Sequence, residues 1–217
     1  MKIFMWIMIG IVAICAIVII ALLIFPGSLA GPTAPPLQLP QLNTETTITT
    51  SADGTWLATS GSIAGFRVNE SFLTQSSVIV GRTSAVTGSL VIVNDEISSG
   101  TFQADLSQLT MGGKPYPSLL QILDTNTYPN ATLTLTAPIA LAGLASSGQT
   151  ISSTAPGSLT IDGITHPVTI AFTTSYNGTV LEAVGTAPIT ASDWRVKAPF
   201  GIHDNDVIEF LVVLKKE

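Results

Sequence analysis

The stretch Gly157–Val168, with the sequence GSLTIDGITHPV, decides the fold class of this chain of 217 residues. Leu159 and Ile161 alternate with polar neighbours up to an Asp162-Gly163 pair, and the same alternation resumes after it. An Asp-Gly pair between two alternating segments is a strong signal for a tight two-residue turn. The stretch therefore predicts a β-hairpin with one apolar and one polar face.

The same period of two extends outward from this hairpin through most of the chain after residue 54. Turn signals such as Asn94-Asp95 and Asn177-Gly178 separate the alternating segments, which number at least eight. Such a pattern is typical of strands with one buried and one wetter face. The apolar sides comprise Phe66 and Val68, Val86 and Leu90, Phe102 and Leu106, Leu133 and Leu135, Leu159 and Ile161, Val168, Ile170 and Phe172, and Ile208, Phe210, Val212 and Leu214.

One segment breaks this alternation. Residues 117–123 read PSLLQIL, with leucines at helical spacing and a proline at the start. Proline is favoured at the first position of a helix, so the segment predicts one short helix.

Two architectures suit a chain of strands with one helix, a sandwich and a closed barrel. The chain lacks the Cys–Trp–Cys framework of an immunoglobulin domain, because its one cysteine, Cys15, lies near the N-terminus. The remaining residues, roughly 160 of them, fit an up-and-down barrel of eight strands. We therefore predict an all-β fold, an eight-stranded antiparallel lipocalin-like barrel with one short helix, spanning residues 54–217.

A single transmembrane helix is predicted before the barrel. Ile3–Phe25 contains no charged residue and no proline, and as a helix it would span roughly 34 Å, enough for a bilayer core of about 30 Å. Lys2 precedes it, which by the positive-inside rule places everything after Pro26 outside the cytoplasm. Small residues at Ser28–Ala30 leave a cleaved signal peptide as the alternative, but the apolar run is longer than such signals usually have.

A linker is predicted between the anchor and the barrel. We assign residues 1–25 to the anchor or signal segment and residues 26–53 to a linker rich in proline and threonine. Proline keeps such a linker semi-extended, which would lift the barrel away from the membrane.

Composition argues against nucleic acid as a partner. The chain has a formal net charge of -6 and only 10% charged residues, whereas phosphate binding needs clustered positive charge. His166 and His203 are the only histidines, and neither belongs to a Ser-His-Asp or paired-carboxylate signature. The sequence therefore predicts no catalytic residues, no cofactor and no metal site, with an ordinary turn at residues 203–206. We expect His166 in the exposed hairpin turn, as a candidate contact at the rim of a barrel.

Several stretches resemble the YceI-like family, often called polyisoprenoid-binding. The resemblance covers nearly the whole chain after Thr55, and its most specific part is the Gly157–Val168 hairpin. Residues 111–116 depart from the family pattern, because they lack the Arg-Asp pair that often precedes the helix. The other matching stretches are Gly61–Val68, Val86–Leu90, Ile122–Pro129, Asp193-Trp194 and Asp206–Phe210.

The resemblance implies a binding protein rather than an enzyme, and together with the predicted segment Ile3–Phe25 it leads us to expect a membrane-anchored, extracytoplasmic protein, although many relatives are simply secreted. Its barrel would hold a polyisoprenoid, an isoprenoid quinone or another lipid, with envelope stress response or transport as the implied setting. Trp194 is expected to plug or floor the barrel. The residues expected to line the interior are Phe66, Val68, Val86, Leu90, Phe102, Leu106, Leu133, Leu135, Leu159, Ile161, Val168, Ile170, Phe172, Trp194 and Phe210.

The residues alone leave two points open. Inward apolar side chains can fill a small barrel completely instead of lining a cavity. The alternative function is accordingly a ligand-free surface domain that docks a membrane protein, and a homodimer is also left open.

Overall fold

The alternating segments form strands. In the computed structural model, described for residues 34–40, 51–72, 75–141, 150–196 and 206–217, the described residues belong to one compact unit, Ala34–Glu217. The strands are β1 (Gly54–Ala58), β2 (Ile63–Phe72), β3 (Gln75–Thr83), β4 (Val86–Val93), β5 (Glu96–Asp105), β6 (Thr110–Met111), β7 (Lys114–Pro115), β8 (Asn130–Leu135), β9 (Ile139–Ala140), β10 (Ile151–Ile161), β11 (Ile164–Tyr176), β12 (Val180–Ile189) and β13 (Asp206–Lys216).

Eight of these strands close into an antiparallel barrel. Their order is β1-β4-β5-β8-β10-β11-β12-β13, and pairing of β13 with β1 closes the circle. The prediction of an eight-stranded antiparallel barrel is thus confirmed. Closure leaves no free strand edge in this circle, which explains how so many polar backbone groups are paired around an apolar interior.

The hairpin of β2 and β3 extends the wall at one end. β13 pairs with β1 near its C-terminus and with β2 near its N-terminus, so β1 and β2 follow one another along the same partner strand. β2 then pairs with β3, and β3 with the short β6–β7 hairpin. The inward side of β2 carries Ala64, Phe66 and Val68.

The predicted turns adopt the backbone conformations that their residues favour. Asn94 and Asp95 have φ of 54° and 59°, and Asp162 and Gly163 have φ of 49° and 69°. Two consecutive positive φ angles are the mark of the turn whose twist matches a β-hairpin. These short turns set the strand register on either side of them.

The predicted helix is present as α1 (Pro117–Ile122), with proline in its first turn. Leu119 and Leu120 are half-buried and pack against the core. Two short 3-10 helices, Leu106–Gln108 and Ala191–Trp194, follow β5 and β12.

Part of the predicted linker lies against the outer wall of the barrel. Glu209 is 1% exposed on the outward side of β13, and its two carboxylate oxygens each accept a hydrogen bond of 2.7 Å, from Arg67 Nε and Arg82 Nε. The same two guanidinium groups donate to the backbone oxygens of Ala34 and Pro35. Arg67 therefore does not simply face solvent, as an isolated strand arginine would; it joins the linker to the wall.

The predicted membrane segment Ile3–Phe25 and the turn at His203 lie outside the described residues. Among the residues that are described, no helix is both long and apolar enough to cross a membrane.

Candidate ligand cavity

An apolar cavity of about 120 Å³ lies inside the barrel. No lining residue has a titratable side chain, and the walls are almost entirely aliphatic or aromatic. The cavity is lined by Ala64, Val86, Leu90, Ile97, Phe102, Gln103, Ala104, Ala131, Leu133, Leu135, Ile139, Ala155, Leu159, Ile170, Phe172, Thr174, Leu181, Ala183, Ile208, Phe210 and Val212. An apolar cavity of roughly 150 Å³ stays dry and takes up benzene, so a space of this size admits a slim apolar group.

The structure brings most of the sequence-predicted interior residues to this cavity. Those that line it are Val86, Leu90, Phe102, Leu133, Leu135, Leu159, Ile170, Phe172 and Phe210. The others point inward or pack in the core without lining it: Phe66, Val68, Leu106, Ile161, Val168 and Trp194. Period two thus identifies the inward face of a strand but not how far along that face the space extends.

Small side chains, which the sequence analysis did not select, create the space. Alanine occupies inward positions on several strands where leucine or phenylalanine would fill the barrel. The sequence did mark these positions, because each alanine lies on the apolar side of the alternating segment that contains it. The alanines are Ala64, Ala104, Ala131, Ala155 and Ala183.

Glycines opposite two phenylalanines keep the aromatic rings against the wall. A Cβ atom at Gly185 would lie 2.4 Å from Phe210 Cζ, and one at Gly88 would lie 2.7 Å from Phe102 Cδ1. Each glycine is the cross-strand partner of the phenylalanine. The rings therefore lie over the glycine backbone instead of projecting into the cavity.

The buried polar group of the cavity wall is satisfied within the protein. Thr174 is 3% exposed, and its hydroxyl donates to the backbone oxygen of Glu182 over 2.8 Å. Its one donor hydrogen is therefore already used within the protein, and the wall offers mainly hydrocarbon.

One end of the barrel, which we call the closed end, is sealed by Trp56, Ile92 and Tyr176. Their side chains are 0%, 0% and 1% exposed. The rings of Trp56 and Tyr176 meet edge to face, with centroids 5.6 Å apart.

The opposite end, which we call the Trp194 end, has polar groups. Trp194 is 2% exposed, and its indole N–H donates to the Leu159 oxygen over 3.1 Å. His166 stacks edge to face on it with centroids 5.0 Å apart, while His166 Nε2 lies 3.0 Å from the Asp193 backbone oxygen. Because a carbonyl oxygen only accepts, Nε2 carries the hydrogen in this arrangement.

The expectation that His166 lies in the exposed turn was wrong. It belongs to β11, two residues beyond its start, on the same side of the strand as the buried Val168 and Ile170. Together with Trp194, Asp193 and other residues it lines a second pocket, of about 440 Å³. The period of two already implied the inward side, but proximity to the turn obscured it.

The fold and the cavity define a class of protein, the lipocalin-like antiparallel barrels with an apolar interior. Residues 56–214 match the YceI-like domain family. Since this match covers well over half of the chain, the protein belongs to the YceI-like family.

Solved structures support the same fold. A polyisoprenoid binding domain from Saccharophagus degradans implicated in plant cell wall breakdown has a TM-score of 0.59 at 15% identity, covering 76% of this chain and 99% of its own. Burkholderia cenocepacia BcnA has a TM-score of 0.54 at 22% identity, covering 70% and 95%. The YCEI protein of Campylobacter jejuni has a TM-score of 0.50 at 12% identity, covering 68% and 90%. No curated protein matches the chain.

Proposed function

We propose that the protein binds an apolar or amphiphilic chain molecule, a polyisoprenoid, an isoprenoid quinone or another lipid, inside its barrel. The observation that carries the proposal is the apolar cavity of about 120 Å³ at the barrel interior. Burying hydrocarbon there is favourable by about 0.8 kcal/mol per methylene group. The wall has no charged group to orient a polar substrate, which favours a chain over a sugar, a nucleotide or a peptide.

The size of the cavity favours a slim ligand. Pockets for drug-sized molecules have roughly 300–1,000 Å³, so this cavity suits an unfunctionalised chain or a short branched segment better than a fused ring system. A polyisoprenoid-binding relative of the same fold supports this choice of ligand class. Binding rather than catalysis is the role that suits such a wall, since general acid–base chemistry needs a positioned titratable group.

Lipid extraction tests the proposal. The full chain is purified from membranes and from detergent-free fractions, and bound lipids are identified by mass spectrometry. We expect one class of lipid in near-stoichiometric amount, retained through washing. Recovery of no lipid, together with no saturable uptake of added polyprenol or quinone, would favour the alternative of a docking domain for a membrane protein.

We further infer that the barrel works outside the cytoplasm, anchored by Ile3–Phe25. The proposal rests on the length and apolar character of this segment and on Lys2 before it. Protease added to intact cells should remove the barrel and leave a membrane-bound stub. A soluble form that begins near Gly31 would instead identify the segment as a cleaved signal.

A further inference from the structure

The outer wall of the barrel carries a site that already holds a peptide segment, residues 34–40 of this chain. Glu209 on β13, Gly65 on β2 and Arg82 on β3 lie side by side across three strands. A Cβ atom at Gly65 would lie 2.9 Å from Arg82 Cγ, so the aliphatic part of Arg82 passes over the glycine toward Glu209. We call Gly65, Arg67, Arg82 and Glu209 the outer groove.

The hydrogen-bond donors of the outer groove are held in a fixed orientation. Each arginine donates through Nε to a different oxygen of Glu209 over 2.7 Å, and Glu209 is 1% exposed. A guanidinium group is planar and has further N–H donors. One of them binds the Ala34 oxygen from Arg67, and another binds the Pro35 oxygen from Arg82. The groove therefore presents two donors to two consecutive backbone oxygens.

The segment in the groove is rich in acceptors and poor in donors. Residues 34–40 read APPLQLP, and the prolines have no backbone N–H. Within the described part of the chain, no backbone–backbone hydrogen bond involves this segment, and an extended proline-containing chain leaves its carbonyl groups free to accept. Leu37 and Leu39 are half-buried, whereas Gln38 and Pro40 are exposed. The segment thus complements a groove that offers donors.

We propose that the outer groove is a recognition site for an extended, proline-containing peptide segment of another polypeptide, and that the linker occupies this site until such a segment displaces it. The partner is recognised through consecutive backbone carbonyl groups, because Glu209 offsets part of the arginine charge. Arg67, Arg82 and Glu209 lie on the outward faces of their strands, so the inference is independent of the cavity. The linker competes with the partner as an intramolecular occupant.

A spin label on the linker reports whether the groove is occupied. The label is attached to the full chain, held in an amphipol, through Gln38→Cys with Cys15→Ala, because Gln38 is exposed. The bound linker should give a slow component in the electron paramagnetic resonance spectrum. Arg67→Lys/Arg82→Lys should convert most of it into a fast component, since lysine lacks the planar set of donors. Arg195→Lys, at an exposed position outside the groove, should leave the spectrum unchanged.

An added peptide tests recognition without altering the groove. Acetyl-APPLQLP-amide, which copies residues 34–40, should release the labelled linker and increase the fast component saturably. Pro35→Gly/Pro36→Gly in the labelled chain weakens the competing linker, because glycine loses more conformational freedom on binding. In this variant the peptide concentration for half-release should fall by roughly threefold or more. Acetyl-AGGLQLP-amide keeps the carbonyl groups but not the stiffness, and should release less linker at every concentration.

Four results would overturn the proposal. One is an unchanged spectrum in a folded Arg67→Lys/Arg82→Lys variant, with folding judged by circular dichroism. A second is no release of the Pro35→Gly/Pro36→Gly linker by the peptide up to about 10 mM, which would leave the groove a purely structural contact. Equal release by the two peptides, or by inorganic phosphate, would indicate a site for any peptide or for an anion. Lipid uptake by the cavity is measured separately, so failure here leaves the proposed function standing.

Discussion

Glu209 is the most deeply buried charged side chain among the described residues, at 1% exposed, although it lies on the outward side of β13. It is tolerated there because Arg67 and Arg82 each donate through Nε to a different carboxylate oxygen. The arginines in turn bind the backbone oxygens of Ala34 and Pro35. One buried carboxylate therefore connects β13, β2, β3 and the linker.

Removing the charge of Glu209 tests this connection. Glu209→Gln should lower the free energy of unfolding by about 2–3 kcal/mol, because two charge-assisted hydrogen bonds lose their ionised acceptor. The change is measured by urea denaturation at neutral pH. Thr186, the exposed residue opposite Glu209 on β12, provides a control, since Thr186→Val should stay within about 0.5 kcal/mol. Equal effects of the two substitutions would show that the ion triad has no special role.

Glu182 makes stability depend on pH. It is 7% exposed, and burial raises the pKa of its carboxyl group. An acid whose pKa is raised by folding contributes stability below its usual pKa, and this contribution is lost as pH rises through the folded-state pKa. The ionised form is thus unfavourable in the folded protein at neutral pH.

Glu182→Gln should therefore raise the melting temperature at pH 7 and above, and the difference should shrink toward zero near pH 4. Thermal melts of the two proteins across this pH range measure it. Glu96→Gln removes the same charge from an exposed position and controls for net charge. A melting-temperature difference that stays constant from pH 4 to pH 8 would contradict the assignment to burial.

At the scale of elements, the turn of the β10–β11 hairpin depends on Gly163. Its φ is +69°, and a Cβ atom there would lie 2.7 Å from Tyr128 Cε1. Gly112 has a similar φ of +57° but no atom within 4 Å of the added Cβ. Comparing substitutions at Gly163 and Gly112 therefore separates the cost of backbone strain from the cost of the steric contact with Tyr128.

Gly163→Ala should lower the free energy of unfolding by about 1–2 kcal/mol, and Gly112→Ala by about 1 kcal/mol or less. Denaturant unfolding measures both changes. The additional loss of unfolding free energy for Gly163→Ala measures the cost of the contact with the Tyr128 ring. That ring is partly exposed and has room to shift, which limits this cost. If Gly163→Ala costs less than Gly112→Ala, the hairpin turn is not under the constraint described.

The sequence predicted an element correctly where the residues that specify it lie close together in the chain. The Asp162-Gly163 turn and the helix that begins at Pro117 depend on residues within a few positions of each other, so short-range preferences suffice. His166 was misplaced because its position depends on where a turn ends and a strand begins, and such boundaries are the least reliable part of a pattern.

At the scale of the whole molecule, the question to test is whether a ligand occupies the cavity inside the barrel. Phe102 lines the cavity, whereas Phe66, also inward, packs on the core without lining it. Phe102→Trp should fill the cavity, lower the uptake of apolar chains at least tenfold and change stability by less than about 1 kcal/mol. Phe66→Trp should overpack the core, cost about 1–3 kcal/mol and leave uptake largely unchanged.

Binding assays with a fluorescent polyprenol analogue, together with denaturation curves, measure both effects. Loss of stability without loss of uptake for Phe102→Trp would indicate that ligands bind elsewhere. Equal loss of uptake in both variants would mean that the inward face, and not the cavity, is what the ligand needs.

The sequence by itself determined the all-β class, the eight-stranded barrel, the turns and the helix. Each of these depends on a period of two or on a few adjacent residues, and both are visible in one dimension. The resemblance to the YceI-like family in the same residues agreed with the barrel that formed.

Only the tertiary structure decided whether the interior is solid or hollow. The space exists because alanines such as Ala155 and Ala183, on separate strands, are brought together around one cavity, while Phe102 and Phe210 lie back over glycines. It also decided that Trp56 and Tyr176, far apart in sequence, close one end, and that Glu209 pairs with two arginines. These features depend on which strands become neighbours around the barrel. Whether a cavity remains depends on how the side chains of all the strands pack together, which no single stretch of sequence shows.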